Sequence, residues 1–108
     1  MHIGLVGGVE RGERRYAALA EADGHSFEVH SGDMAGRGGD VLEALVERSD
    51  FVIVITDVNS HAAVLAARRH ARTFGRRCLL VRRFGFSRFR ALLQEMPREA
   101  ARDLAKTG

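Results

Sequence analysis

The sequence predicts a Rossmann-like three-layer α/β fold: one domain over residues 1–108, built on a four-stranded parallel sheet of order 2-1-3-4. Four apolar runs have the length and the β-branched or leucine content of buried strands, at residues 3–6, Ser26–His30, 51–56 and 78–82. Amphipathic helical patterns fill the intervals. Regular alternation of strand and helix is the mark of βαβ units, whose strands run parallel and whose crossovers are right-handed. The simplest winding sends the first two units one way and the last two the other, which puts a topological switch point between strands 1 and 3.

Taken in order, residues 3–6 (Ile-Gly-Leu-Val) begin the sheet. A helical pattern at 11–22 carries Tyr16, Leu19 and Ala20 on one stripe and stops at Asp23-Gly24. Ser26-Phe27-Glu28-Val29-His30 alternates, as an edge strand with one wetter face would. The helix at 40–48 lines up Val41, Leu42, Leu45 and Val46, with Asp40 and Glu43 at capping-box spacing. Phe51-Val52-Ile53-Val54-Ile55 is apolar without alternation, the pattern of a central strand covered on both faces. The helix at 60–74 places Val64, Leu65 and several alanines on one face and ends at Gly75. Strand 78–82 follows, then a helix at 87–96 with Phe89, Leu92, Leu93 and Met96 on one face, before Pro97.

Composition bounds the class. The 45% hydrophobic and 29% charged content is that of a globular chain, and no apolar run approaches the roughly 20 residues of a membrane span. A strand beginning near Met1 leaves no room for a signal peptide, and the lone Cys78 excludes an internal disulfide, so a cytoplasmic location is expected. The net charge of +3 conceals an asymmetry: residues 1–67 hold five basic and eleven acidic side chains, residues 68–108 twelve basic and three acidic. An anion-binding surface is therefore expected only where the fold gathers C-terminal arginines together.

A parallel sheet brings all four strand-to-helix segments to one edge, where open α/β sheets bind ligands. These segments hold the chain's least ordinary residues. Gly7 and Gly8 permit a sharp turn that exposes backbone N–H groups to an anion, although they form neither a G-x-G-x-x-G fingerprint nor a P-loop. After strand 2 comes His30-Ser31-Gly32-Asp33. After strand 3 comes Thr56-Asp57-Val58-Asn59-Ser60-His61, where Asn59 or Ser60 suffices as a helix cap. Capping does not account for His61, placed where the helix dipole opposes a cationic ring, so His61 with Asp57 is the candidate catalytic pair. After strand 4, Arg82-Arg83-Phe84-Gly85-Phe86-Ser87-Arg88-Phe89-Arg90 interleaves arginine with aromatics. Phe89 belongs to the core stripe; Arg82, Arg83 and Arg88 are candidates for a phosphate or carboxylate, with Ser87 assisting at the helix N-terminus. If the loops converge, His30, Asp33, Asp57 and His61 make a two-histidine, two-carboxylate metal set, with His61 and His30 as the leading ligands. His2, His25 and His70 are expected at the surface or at strand ends.

The opening Ile3-Gly4-Leu5-Val6-Gly7-Gly8, the His30…Gly32 pair, Thr56-Asp57…Ser60-His61 and the terminal Arg-Phe-Gly-Phe-Ser-Arg-Phe resemble the bacterial family called domain of unknown function 2325, over roughly residues 3–93. The resemblance implies a small cytoplasmic Rossmann-like domain and no settled activity. It maps the family's T-D-x-x-S-H element onto Thr56, Asp57, Ser60 and His61. Ser31 stands where the family more often has an acidic residue after the histidine, which counts against a metal role for that loop.

Four functions are consistent with these residues. The first is a homodimeric binding module taking an anionic small molecule among Gly7, Gly8, Ser60, His61, Arg83 and Arg88. The second is a haem protein with His61 or His30 as axial ligand, for which no CxxCH motif speaks. The third is a hydrolase or lyase using His61 as base and Asp57 to orient it. The fourth is nucleic-acid binding by the arginine-rich third, against which the acidic first two-thirds argue.

Overall fold

The computed structural model describes residues 1–7, 12–57 and 60–96. In chain order it forms β1 (His2–Val6), α1 (Glu13–Ala22), β2 (Ser26–His30), α2 (Gly38–Arg48), β3 (Phe51–Ile55), α3 (His61–Phe74), β4 (Arg77–Val81) and α4 (Phe86–Glu95). All pairings are parallel and the order is β2-β1-β3-β4, the Rossmann-like winding that the sequence predicts.

Two-residue periodicity sorts the strand side chains into two cores. Ile3, Leu5, Ile53, Ile55 and Val81 face α1 and α4, meeting Tyr16, Ala20, Phe89 and Leu93. Val6, Val52 and Val54 face α2 and α3, meeting Leu42, Leu45, Val46, Ala66, Ala67 and Ala71. The central strands β1 and β3 are thus buried on both sides, while β2 and β4, at the edges, are only partly covered. On the first side, Tyr16 stacks on Phe27, Phe84 and Phe86 and meets Phe89 edge-on, an aromatic cluster that ties α1 to the start of α4.

Helix ends follow the sequence signals in part. Asp23 and Gly24 close α1, with their N–H groups donating to Ala20 and Glu21 carbonyls and Gly24 at φ +82°. Gly75 ends α3 in the left-handed region. The start of α2 differs from expectation: the helix begins at Gly38, so Asp40 lies inside its first turn and the Asp40–Glu43 capping box does not form. The loop itself starts the helix. The Asp33 carboxylate accepts from Ala35 N–H at 2.9 Å, the Gly38 N–H donates to the Ala35 carbonyl at 2.9 Å, and the Asp33 carbonyl oxygen lies 2.0 Å from where a Cβ on residue 38 would sit. Only glycine admits that approach. Strand β4 begins one residue earlier than its apolar run and releases Arg82 to the rim. His25 stands at a strand end as expected, immediately before β2, and is 7% exposed there, in a small hollow with Asp23, Leu93, Gln94 and Met96. Residue 11, expected in the first helix, and Pro97 lie outside the described residues. Among the described residues no helix is long and apolar enough to cross a membrane.

Candidate functional site

Each strand ends at the rim by handing its chain to a loop, and the strand order decides which loops can meet. On the β2–β1 side, the Gly7 N–H donates to the His30 carbonyl at 2.9 Å, with Gly7 at φ +142°, a conformation that side chains other than glycine rarely adopt. Gly8, its partner in the expected turn, lies outside the described residues, as does Asn59.

His30 is 6% exposed and uses both ring nitrogens. Its Nδ1 accepts from the Gly32 N–H at 2.9 Å, which fixes the proton on Nε2, and that N–H donates to the Gly38 carbonyl at 2.9 Å. The ring therefore pins the loop between β2 and α2 to the start of the helix. In this arrangement neither nitrogen has a lone pair directed at an external metal or haem iron.

On the β3–β4 side, the Thr56 N–H and hydroxyl both donate to the Val81 carbonyl, at 2.7 and 3.3 Å, and extend the β3–β4 ladder past the strand end. Asp57 then emerges, 39% exposed, with its two carboxylate oxygens 3.8 Å from Arg82 Nε and Arg83 Nε. Both arginines are almost fully exposed. Arg82, Arg83 and Arg88, with Leu80 and Val81, line a shallow depression of about 510 Å³ at the end of β4. Ser60 is the cap of α3: its Oγ accepts from the Ala63 N–H at 3.1 Å, which accounts for this residue structurally. His61 is the first helical residue and exposed, and among the described residues its side chain makes no hydrogen bond or ion pair. Ser87 and Arg88 occupy the exposed first turn of α4, whose N-terminal N–H groups face the same rim.

The strands thus bring Asp57, Arg82, Arg83 and Arg88 together and leave His30 apart. β1 separates β2 from β3, so the end of β2 lies two strand spacings, about 10 Å, from the end of β3. The two-histidine, two-carboxylate metal set accordingly does not assemble, and no group of three or more His, Cys, Asp or Glu side chains is placed to hold a metal among the described residues. The interleaved Arg–Phe segment also divides. Phe84, Phe86 and Phe89 turn inward onto Tyr16 and one another, and the arginines stay outside.

Sequence reading missed a second hollow, of about 260 Å³, between α1 and α4, lined by Arg15, Ala18, Leu19, Phe86 and Arg90. Arg15 lies 4.0 Å above the Phe86 ring, whose other face stacks on Tyr16 at 4.4 Å. The i, i+4 spacings of Arg15 with Leu19 and of Phe86 with Arg90 were its available signal. Arg15 acts on Tyr16 too, although burial outweighs it and pushes the phenol above its ordinary pKa.

A family model described as an uncharacterized protein conserved in bacteria (DUF2325) matches residues 2–96. No curated protein and no solved structure matches the chain.

Proposed function

This chain belongs to the bacterial family DUF2325, and we propose that it is a binding module for a small molecule bearing a phosphate or carboxylate, held at the C-terminal ends of β3 and β4. The observation that carries this reading is the charge balance of the rim: Arg82, Arg83 and Arg88 line one depression, and among the described residues Asp57 is the one carboxylate paired with them. At 3.8 Å and high exposure, each Asp57 contact is a loose surface pair worth less than about 1 kcal/mol. The guanidinium forks stay available for a second anion, and two forks converging on one phosphate make the strong, charge-assisted geometry. The N–H groups at the start of α4 add a favourable dipole. Exposed at the head of α3, His61 is a further hydrogen-bonding group at the same edge of the sheet.

Isothermal titration of the purified chain with nucleotides, phosphorylated metabolites and small carboxylates tests the reading. Saturable binding is expected for at least one of these anions, weakening with salt, and Arg83→Ala with Arg88→Ala together should lower its affinity at least about tenfold. Absence of binding across the panel, or equal binding by the double variant, overturns it.

A further inference from the structure

We infer that the outer face of α2 and α3 is the surface on which two copies of this chain pair. The two helices cover one side of the sheet, pack together and, as crossovers of a parallel sheet, run in the same direction. Their exposed charges have opposite signs. On α2, Asp40, Glu43 and Glu47 are exposed, and its only basic residue, Arg48, is bound to Glu28. α3 has no acidic residue and exposes Arg69 and Arg72. Among the described residues, none of these carboxylates forms an ion pair with those arginines, although the helices are neighbours. Each helix also exposes one large apolar side chain, Val41 at 52% on α2 and Leu65 at 48% on α3.

A strip of acid beside a strip of base on one face is complementary to its own copy. A two-fold axis parallel to the helices lays α2 of one protomer on α3 of the other, so acid meets base twice and the apolar side chains lie within the contact. An axis across the helices would lay acid on acid. Pairing through the edge strand β4 is opposed by its arginines. Arg76 precedes it, Arg77 opens it, and Arg82 and Arg83 follow it, so antiparallel pairing of β4 with its own copy would bring like charges together at both ends.

Sedimentation velocity on the full chain, with circular dichroism to confirm folding, tests the surface. The wild type should be a dimer that weakens as salt rises, because the contact is charge-based and screened within about 8 Å at physiological ionic strength. Glu47→Arg alone and Arg72→Glu alone should each weaken dimerisation about tenfold or more, since symmetry counts each reversal twice. An equimolar mixture of the two folded variants should recover the dimer, because only the heterodimer then restores both opposite-charge pairs. A monomeric wild type, single variants that dimerise like the wild type, or a mixture that stays monomeric overturns the inference.

Discussion

Gly4 on β1 lies directly under Ser49: a Cβ at Gly4 would fall 2.6 Å from the Ser49 Oγ and 2.5 Å from Leu45 Cδ2. Ser49 is wholly buried just beyond α2, and its hydroxyl donates to the Leu45 carbonyl at 2.6 Å, so neither neighbour has room to withdraw. Glycine is what lets α2 settle on the sheet. Gly4→Ala should cost about 1–3 kcal/mol as an overpacking substitution. In thermal unfolding the midpoint should drop about 4–8 °C per kcal/mol. A midpoint unchanged from wild type would contradict this close contact.

The edge strand β2 is locked by Glu28, which accepts from Arg48 Nε at 2.6 Å, from a second Arg48 nitrogen, and from His2 Nε2 on β1. The Arg48 hydrogen bond holds the Glu28 pKa below the ordinary carboxylate value, against an opposing contribution from burial, with the His2 hydrogen bond adding to the lowering. A depressed folded-state pKa gives stability that is complete above the ordinary carboxylate range and is lost as pH falls through the lower, folded value. Glu28→Gln should remove that part of the acid dependence, on the order of 1 kcal/mol, and bring the wild-type and variant stabilities closer together as pH drops below about 4. Denaturant unfolding between neutral and acid pH measures it; curves that stay parallel would refute the assignment.

His30 holds its loop through two hydrogen bonds, so its loss should be felt locally. His30→Ala should cost about 1–3 kcal/mol, with amide hydrogen exchange accelerating between Ser31 and Arg37 more than in α1 or α4. Uniform acceleration across the molecule would mean that the histidine supports the whole core instead.

Cys78 sits half-buried in β4 against the α2–α3 core, and burial raises its thiol pKa, with Arg68 opposing. At neutral pH it should react with a disulfide reagent several-fold more slowly than a free thiol, because less thiolate forms. The rate should climb only above the ordinary thiol pKa of about 8.5. Fast reaction near pH 7 would show an environment more open or more cationic than this one.

How much of this was legible beforehand depended on the range of the interaction. Strands β1–β4 and the glycine stops at Gly24 and Gly75 were readable because burial periodicity and left-handed caps are written in neighbouring residues. The start of α2 was not, because the approach of Gly38 to the Asp33 carbonyl outweighed the Asp40–Glu43 capping pattern. Of the candidate residues, Ser60 resolved into a cap and His30 into a loop anchor, both local roles. That Arg83 and Arg88 would border one depression followed from strand order, since both leave the rim beside β4.

By itself the sequence determined the alternation of strand and helix, the parallel sheet and the identity of the rim segments, since each depends on side-chain period and on the handedness of short crossovers. Tertiary structure alone decided that His25 is buried, that both Phe84 and Phe86 join Phe89 on Tyr16 while the arginines of their segment stay out, and that Glu28 binds Arg48 and His2. These are contacts between residues far apart in the chain, and they are fixed by which surfaces the packed layers leave open rather than by any local pattern.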